Sequence, residues 1–320
     1  MQNGYNGDTM KAVRFHPPGG PDKLAFATEP KPTLKKPGEV LIKVRAVGLI
    51  WTELYWPIYQ NSDGTYRSHI PGHDFSGVIT EIAAGTGSGE LQVGSEVYVF
   101  TSRRNHEGAM AEFAVADIDQ VLPKPSSLSL IEAASVPLSA LTAWQALFDH
   151  GKLQKGQKLL INGAAGGTGI WAVQFAKMVG AHVFGTGSSK RSHEILEGFG
   201  IDEFIDYKAT SVIDVVKDVD LILDCVGGQA LEQSFQVVKD EGLVISILTL
   251  QCAELARKQG KTGMFFIVSM RAEQLVQITK LIEDKGIKPI VDKVVPLEQA
   301  RSAFEEAANG HVHGKIIIGV

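Results

Sequence analysis

Cysteine is nearly absent from this chain: Cys225 and Cys252 are the only two in 320 residues. So few cannot build a disulfide framework, and they fit a reducing compartment, which makes the cytosol the expected location. A basic excess is also missing. The net charge of −5 leaves no overall footprint for nucleic acid, and none is expected as a partner. The opening residues hold no apolar core behind a basic start, so no secretory signal is read. Internal repeats and low-complexity tracts are lacking too. With 44 % hydrophobic and 21 % charged residues, the chain reads as globular and long enough for two domains. Residues 159–176 carry no charge at all. A membrane helix would need about 20 mostly apolar residues and would not hold Asn162 among a cluster of glycines. No membrane partner is expected.

That charge-free stretch, L-L-I-N-G-A-A-G-G-T-G-I-W-A-V-Q-F-A, is what the rest is organised around. Leu159, Leu160 and Ile161 form a short apolar run of the kind that makes a buried parallel strand. Gly163, Ala164, Gly166, Gly167, Thr168 and Gly169 follow as a turn in which backbone can approach a ligand closely. Ile170, Val173, Phe175, Ala176 and Val179 then recur at roughly helical spacing. Strand, glycine turn and helix in this order aim free backbone N–H groups at a pyrophosphate.

Ahead of this point the chain is rich in short strands and turns. Residues 1–9 are polar and glycine-rich, a loose extension, and M-K-A-V-R-F opens the ordered part at Met10. P-G-E leads into V-L-I-K-V-R-A-V-G, and residues 51–67 gather Trp51, Tyr55, Trp56, Tyr59 and Tyr66. F-S-G-V-I, V-G-S-E-V-Y-V-F and M-A-E-F-A-V-A supply further strands. The pattern changes at L-P-K-P (122–125). Ser129 caps a helix through Ile131, Glu132 and Ala133, and a second helix is expected over 140–148. Strands and helices alternate after Lys155, with helices near 190–198 and 272–285, as in a parallel sheet covered on both faces. The closing V-D-K-V-V-P-L and G-K-I-I-I-G-V are strand-like and expected to rejoin the first domain. The expected division is 10–124 with 287–320 for the first domain and 125–286 for the second.

Taken in order, M-K-A-V-R-F, P-G-E-V-L-I-K-V, P-G-H-D-F-S-G-V-I, V-G-S-E-V, G-A-A-G-G-T-G, D-C-V-G-G and H-G-K-I-I-I span nearly the whole chain. Together they resemble the medium-chain dehydrogenase/reductase superfamily, and within it the zinc-independent quinone oxidoreductases. The resemblance implies an α/β protein with a GroES-like β-rich catalytic domain, a Rossmann domain carrying a doubly wound parallel sheet, a cofactor cleft between them, and a homodimer.

Zinc-dependent relatives need a Cys, a His and a further Cys or acid. By the resemblance, Ile50 occupies the first cysteine position, His73 the histidine, and Leu138 the third ligand. No metal is expected, and His73 has either a hydrogen-bonded structural role or a cleft-lining one. NAD-preferring Rossmann sites carry an acid about 20 residues beyond the glycine turn. Here residues 185–192 read G-T-G-S-S-K-R-S, with Ser188, Lys190 and Arg191 and no acid. Hydroxyls and cations suit a 2′-phosphate, which favours NADPH; a solvated helix start is the bland alternative.

The resemblance adds Tyr207 and His313 beside that phosphate, Lys315 in the closing G-K, and Phe265 and Phe266 on the nicotinamide side, where packing alone would also explain them. It makes Thr52 a proton-relay hydroxyl and sets Tyr55 and Tyr66 around the acceptor. Ile50 stands where relatives often have Asn, so the pocket, with Trp51 and Trp56, is unusually apolar, although those aromatics could equally be core or interface. The expected activity is NADPH-dependent, metal-free reduction of quinones or α,β-unsaturated carbonyls. An enoyl reductase of a biosynthetic pathway and a weakly catalytic NADPH-binding regulator stay open beside it.

Overall fold

The computed structural model describes residues 8–56, 60–61, 63–101, 106–310 and 312–320. Most of the expected extension (1–7) and Tyr59 lie outside the described residues.

The first strands are β1 (Thr9–Phe15) and β2 (Leu24–Pro30), an antiparallel hairpin in which Thr9 already pairs with Pro30. They are followed by β3 (Glu39–Gly48), β4 (Asp74–Ile82), β5 (Glu96–Phe100), β6 (Phe113–Asp117) and β7 (Val121–Pro123). Two short helices come next, α1 (Leu130–Ala133) and α2 (Pro137–Trp144). The start of α1 is a full capping box. Ser129 accepts from the backbone of Glu132, whose carboxylate accepts from the backbone of Ser129. The helix expected over 140–148 therefore begins earlier, at Pro137, where the ring occupies the first turn without loss of a hydrogen bond. It loosens into a π-helical turn over Gln145–His150.

From there strand and helix alternate: β8 (Lys158–Asn162), α3 (Gly167–Val179), β9 (His182–Gly187), α4 (Lys190–Gly198), β10 (Glu203–Asp206), α5 (Val212–Val215), β11 (Val219–Asp224), α6 (Gly228–Val237), β12 (Val238–Ser246), α7 (Cys252–Lys258) and β13 (Thr262–Phe265). These six strands form one parallel sheet in the order β10-β9-β8-β11-β12-β13. Residues alternate between its faces. Leu159, Ile161, Leu221 and Leu223 join the core under α2, α3 and α8 (Ala272–Lys285), whereas Leu160 and Ile222 join the opposite one. Burial on both faces is why these strands read as apolar runs.

The chain ends with β14 (Val291–Pro296), α9 (Ala300–Ala308) and β15 (Lys315–Gly319). Strands β14 and β15 return to the first sheet, ordered β14-β15-β3-β4-β5-β7, with β6 paired to β3. The two halves share apolar packing, since Tyr98, Phe100 and Leu122 belong to the same core as Leu159 and Trp171. Tyr98 is fully buried and donates toward the carbonyl of Leu275 at 3.2 Å, with Thr279 Oγ1 at 2.6 Å.

Candidate active site and coenzyme cleft

The glycine turn joins β8 to α3. Gly163 has a left-handed φ of +75°, and its N–H donates to Thr186 Oγ1 at 3.0 Å; the N–H of Ala164 donates to the Thr186 carbonyl at 3.1 Å. Helix α3 then begins behind Gly166 with no side chain capping it. Its first amide groups, at Gly167, Thr168 and Gly169, therefore need an acceptor from outside the helix. A Cβ built on Gly169 would stand 2.3 Å from the carbonyl oxygen of Gly163, so glycine there is what lets strand and helix close up. The cradle fits a pyrophosphate.

Two elements from the other domain close onto this turn. The N–H of Gly314 donates to the Ala165 carbonyl at 2.8 Å, and Gly166 forms a parallel bridge with Gly314. Lys315, the next residue, is buried; its Nζ lies 3.0 Å from Asp74 Oδ2 and 3.1 Å from Ser139 Oγ. Asp74 also accepts from the N–H of Leu138 at 3.2 Å. Complete burial pushes the Asp74 carboxyl above its usual range, and Lys315 pulls it back. Lys315 is thus placed at the foot of α3, where its ammonium neutralises a buried acid. Sequence reasoning did not find Asp74 or Ser139 here, because nothing local marks them as its partners.

The residues considered for chemistry lie around a single-turn 3-10 helix, Trp51–Tyr55, that starts from Ile50. Glu53 of this turn is fully buried, and its Oε2 is 3.0 Å from His73 Nδ1 and 3.2 Å from the N–H of Gly72. The Trp56 ring packs on His73 with centroids 5.3 Å apart. Ile50, Thr52 and Trp56 are half-buried, while Trp51, Tyr55 and Tyr66 are exposed. The hydroxyl of Tyr55 lies over Gly20, at the β1–β2 turn.

Beyond its last residue, β9 runs out into Ser188, Ser189, Lys190 and Arg191. Ser189 caps α4 by accepting from the N–H of Ser192. Both of these hydroxyls meet His313 Nε2, at 3.0 and 3.1 Å. Among the described residues, solvent-exposed Lys190 has Glu194 at 3.5 Å, whereas Arg191 is paired with Asp292 at 2.9 Å. Tyr207 is exposed beside the end of β9, where its N–H donates to the Gly187 carbonyl at 3.2 Å. Ser188, Lys190, Arg191, Tyr207 and His313 thus gather about the end of β9. The hydroxyls of Ser189 and Ser192 and the carboxylate of Asp292 lie there too; the serines were legible in S-S-K-R-S as a capping pattern, and Asp292 was not legible.

Phe265 and Phe266 face opposite ways. Phe265 packs toward the core of β11, β12 and α6, and Phe266 lies against His150 with ring centroids 4.7 Å apart. Beside the glycine turn, Asp224 organises the ends of β8, β11 and β12. Its carboxylate accepts from Gly227 N–H at 3.0 Å, Ser246 Oγ at 2.8 Å and Asn162 Nδ2 at 3.3 Å. Next to it, burial and the Asp224 charge push the Cys225 thiol well above its ordinary range, which disfavours the thiolate.

Comparison with known proteins matches this architecture. Residues 36–126 fit the family model described as the alcohol dehydrogenase GroES-like domain, and residues 199–318 the one described as zinc-binding dehydrogenase. A probable mitochondrial zinc-binding oxidoreductase of Arthroderma benhamiae is 33 % identical over 316 residues, 93 % of each chain. The chain belongs to the medium-chain dehydrogenase/reductase superfamily. A mitochondrial NAD(P)H oxidoreductase of Danio rerio is 27 % identical over 334 residues, covering 90 % of this chain and 85 % of the relative. The solved quinone oxidoreductase of Coxiella burnetii superposes with a TM-score of 0.87 at 28 % identity, over 98 % of this chain and all of the other. As a medium-chain dehydrogenase/reductase, the chain is an oxidoreductase that takes a nicotinamide cofactor, and its glycine cradle fits one.

The zinc in two of those descriptions does not fit this donor set. Among the described residues no three of His, Cys, Asp and Glu gather as an ion would require. The positions that the resemblance gives to two of the ligands hold the aliphatic Ile50 and Leu138, His73 is tied to Glu53, and Asp74 to Lys315. Nor is any helix among the described residues long and apolar enough to cross a membrane.

Proposed function

We propose that this chain is an NADPH-dependent reductase of quinones or α,β-unsaturated carbonyl compounds that works without a metal. The observation that carries the reading is the donor set: where the resemblance puts a metal enzyme's ligands stand Ile50, Leu138 and a His73 already tied to Glu53. When bound, the coenzyme supplies the hydride. The chain's own part is to hold the pyrophosphate at the uncapped start of α3 and to shield the reacting atoms from water with Trp51 and Trp56. Quinones and enones spread incoming charge onto an oxygen, so hydrogen-bond donors suffice where a simple ketone would need a Lewis acid. Thr52, Tyr55 and Tyr66 are the donors at hand, and one of them or a water supplies the proton.

NADPH is favoured over NADH by what surrounds the end of β9, where Ser188, Lys190, Arg191 and Tyr207 gather. Lys190→Ala removes one solvated cation and is expected to weaken NADPH about three- to tenfold while leaving NADH within about twofold. Equal losses for both coenzymes would move the phosphate elsewhere.

Two further features complete the proposal. The outer strand β13 is followed two residues on by Ile267, which is 79 % exposed; an outer strand with an exposed apolar neighbour supports a homodimer. The two cysteines are unpaired, in keeping with the cytosol.

The deciding experiment follows oxidation of NADPH with an ortho-quinone and an enone in parallel, beside an NADH control and a metal analysis of the protein used. Rapid metal-free turnover of the quinone establishes a quinone reductase, and selective enone turnover an alkene reductase. About one zinc per chain would overturn the metal-free reading. NADPH binding with no turnover of either acceptor would favour a regulatory protein.

A further inference from the structure

Between β14 and β15 the register shifts at Asp292: Val291 pairs with Lys315, and Lys293 with the very next residue, Ile316. Asp292 is the extra residue of a β-bulge, a device that re-aims a side chain. The neighbouring turn is tight. Gly314 has a φ of +73°, and a Cβ there would fall 2.0 Å from the Ile290 carbonyl oxygen, so this crossing is built for one conformation.

The bulge turns the Asp292 carboxylate across the domain boundary. Its Oδ1 lies 2.9 Å from Arg191 on α4 and 3.9 Å from His313 Nδ1. Only 12 % of the Asp292 side chain is exposed, against 54 % of Arg191. The same Oδ1 has no well-aligned hydrogen bond, so the carboxylate is held by charge more than by directed donors. On the far edge of His313 sit Ser189 and Ser192. Hydroxyls and a guanidinium beside a helix start are what a phosphate monoester seeks. An internal anion already engages the cation.

We propose that Asp292 is a specificity-determining residue: a built-in anion that occupies Arg191 and competes with the 2′-phosphate of the coenzyme for it. The inference rests on the NADPH reading above. A phosphate arriving beside Ser189 and Ser192 carries between one and two negative charges at neutral pH, and it must share Arg191 with Asp292 or displace it. Displacement breaks the Arg191–Asp292 contact, one of those that join α4 to the other domain beside the serine contacts to His313, so coenzyme binding and the contact between the domains are linked. Asp292 thereby moderates coenzyme affinity and lets NADP+, which carries the same 2′-phosphate, leave after turnover.

The test measures dissociation constants of NADPH, NADH, 2′,5′-ADP and 5′-AMP for wild type, Asp292→Asn, Arg191→Met and the double variant. Asp292→Asn is expected to bind the two 2′-phosphate ligands about three- to tenfold tighter, the size of one partly screened charge contact. NADH and 5′-AMP should stay within about twofold, which also shows that the variant is folded. The gain should vanish in the Arg191→Met background. Unchanged or weaker NADPH binding by Asp292→Asn, in a wild type that still prefers NADPH, would overturn the proposal and leave Asp292 an interdomain strut. A wild type with equal affinity for NADPH and NADH would instead overturn the coenzyme reading beneath it.

Discussion

Replacing Lys315 with Met is expected to destabilise the protein by about 3–5 kcal/mol, the usual consequence of removing one partner from a buried ion pair. Asp74 is completely enclosed, and the Lys315 ammonium is the nearest charge that offsets it. Without that ammonium, the folded chain can keep Asp74 only by protonating it, so its folded pKa rises further above the ordinary 3.8. A folded state that holds a proton the unfolded chain releases becomes less stable as pH rises. The loss in Lys315→Met should therefore be smallest near about pH 4 and grow toward neutrality. Denaturant titrations at about pH 5 and about pH 8 would show it, and Asp74→Asn added to Lys315→Met should recover much of the difference. A single variant as stable as wild type at both pH values would mean that water reaches Asp74 and relieves it. Because Lys315 Cδ also lies 3.6 Å from the place of a Cβ on Gly167, coenzyme affinity should fall in the same variant.

The second large effect is at Gly169. An alanine methyl there would meet Gly163 O at 2.3 Å, Ala164 O at 2.6 Å and Ala164 C at 2.7 Å, all backbone atoms that cannot rotate away. Helix α3 must then shift from the turn, and overpacking of this kind costs about 1–3 kcal/mol. If that displacement falls on the phosphate cradle, Gly169→Ala weakens NADPH and NADH alike, by roughly five- to hundredfold. The parallel loss separates it from Lys190→Ala, which discriminates between the two. Gly198→Ala, at the end of α4 with nothing within 4 Å of the added methyl, is the control and should bind both coenzymes as wild type does. Normal binding by Gly169→Ala would show that the pyrophosphate does not lie against the start of α3.

What the sequence revealed of this fold was what its short-range signals encode. The strand β8, the glycine turn and α3 follow one another within about twenty residues, and each is specified by its own composition. Helix α4 begins at a serine cap, and α8 stops at Gly286 in the left-handed conformation, so their bounds were readable. Strand β2 was not, because only Leu24 of its seven residues is buried and its order comes from pairing with β1. Helix α9 escaped notice because three of its four buried residues, Ala300, Ala303 and Ala307, are too small to mark an apolar stripe; Phe304 is the fourth. In the site, motif positions located the cradle and the serine–cation end of β9. The pairings Lys315–Asp74 and Arg191–Asp292 join residues far apart in sequence, and no periodicity announces a partner across 241 positions.

The seven-stranded sheet carries one more implication, for the birth of the molecule. Strand β15 lies inside that sheet, between β14 and β3, although it is made last. The six parallel strands come from one uninterrupted segment and can assemble while synthesis continues, whereas the Ala46–Gly48 end of β3 must wait for some 270 further residues to be made before β15 arrives to pair with it. During that interval this short apolar end of β3 stays unpaired on one side, the kind of edge that invites pairing with other chains. The half of the molecule that begins first is completed last, and its exposure to chaperones and to misassembly is set by the translation time of the half inserted within it.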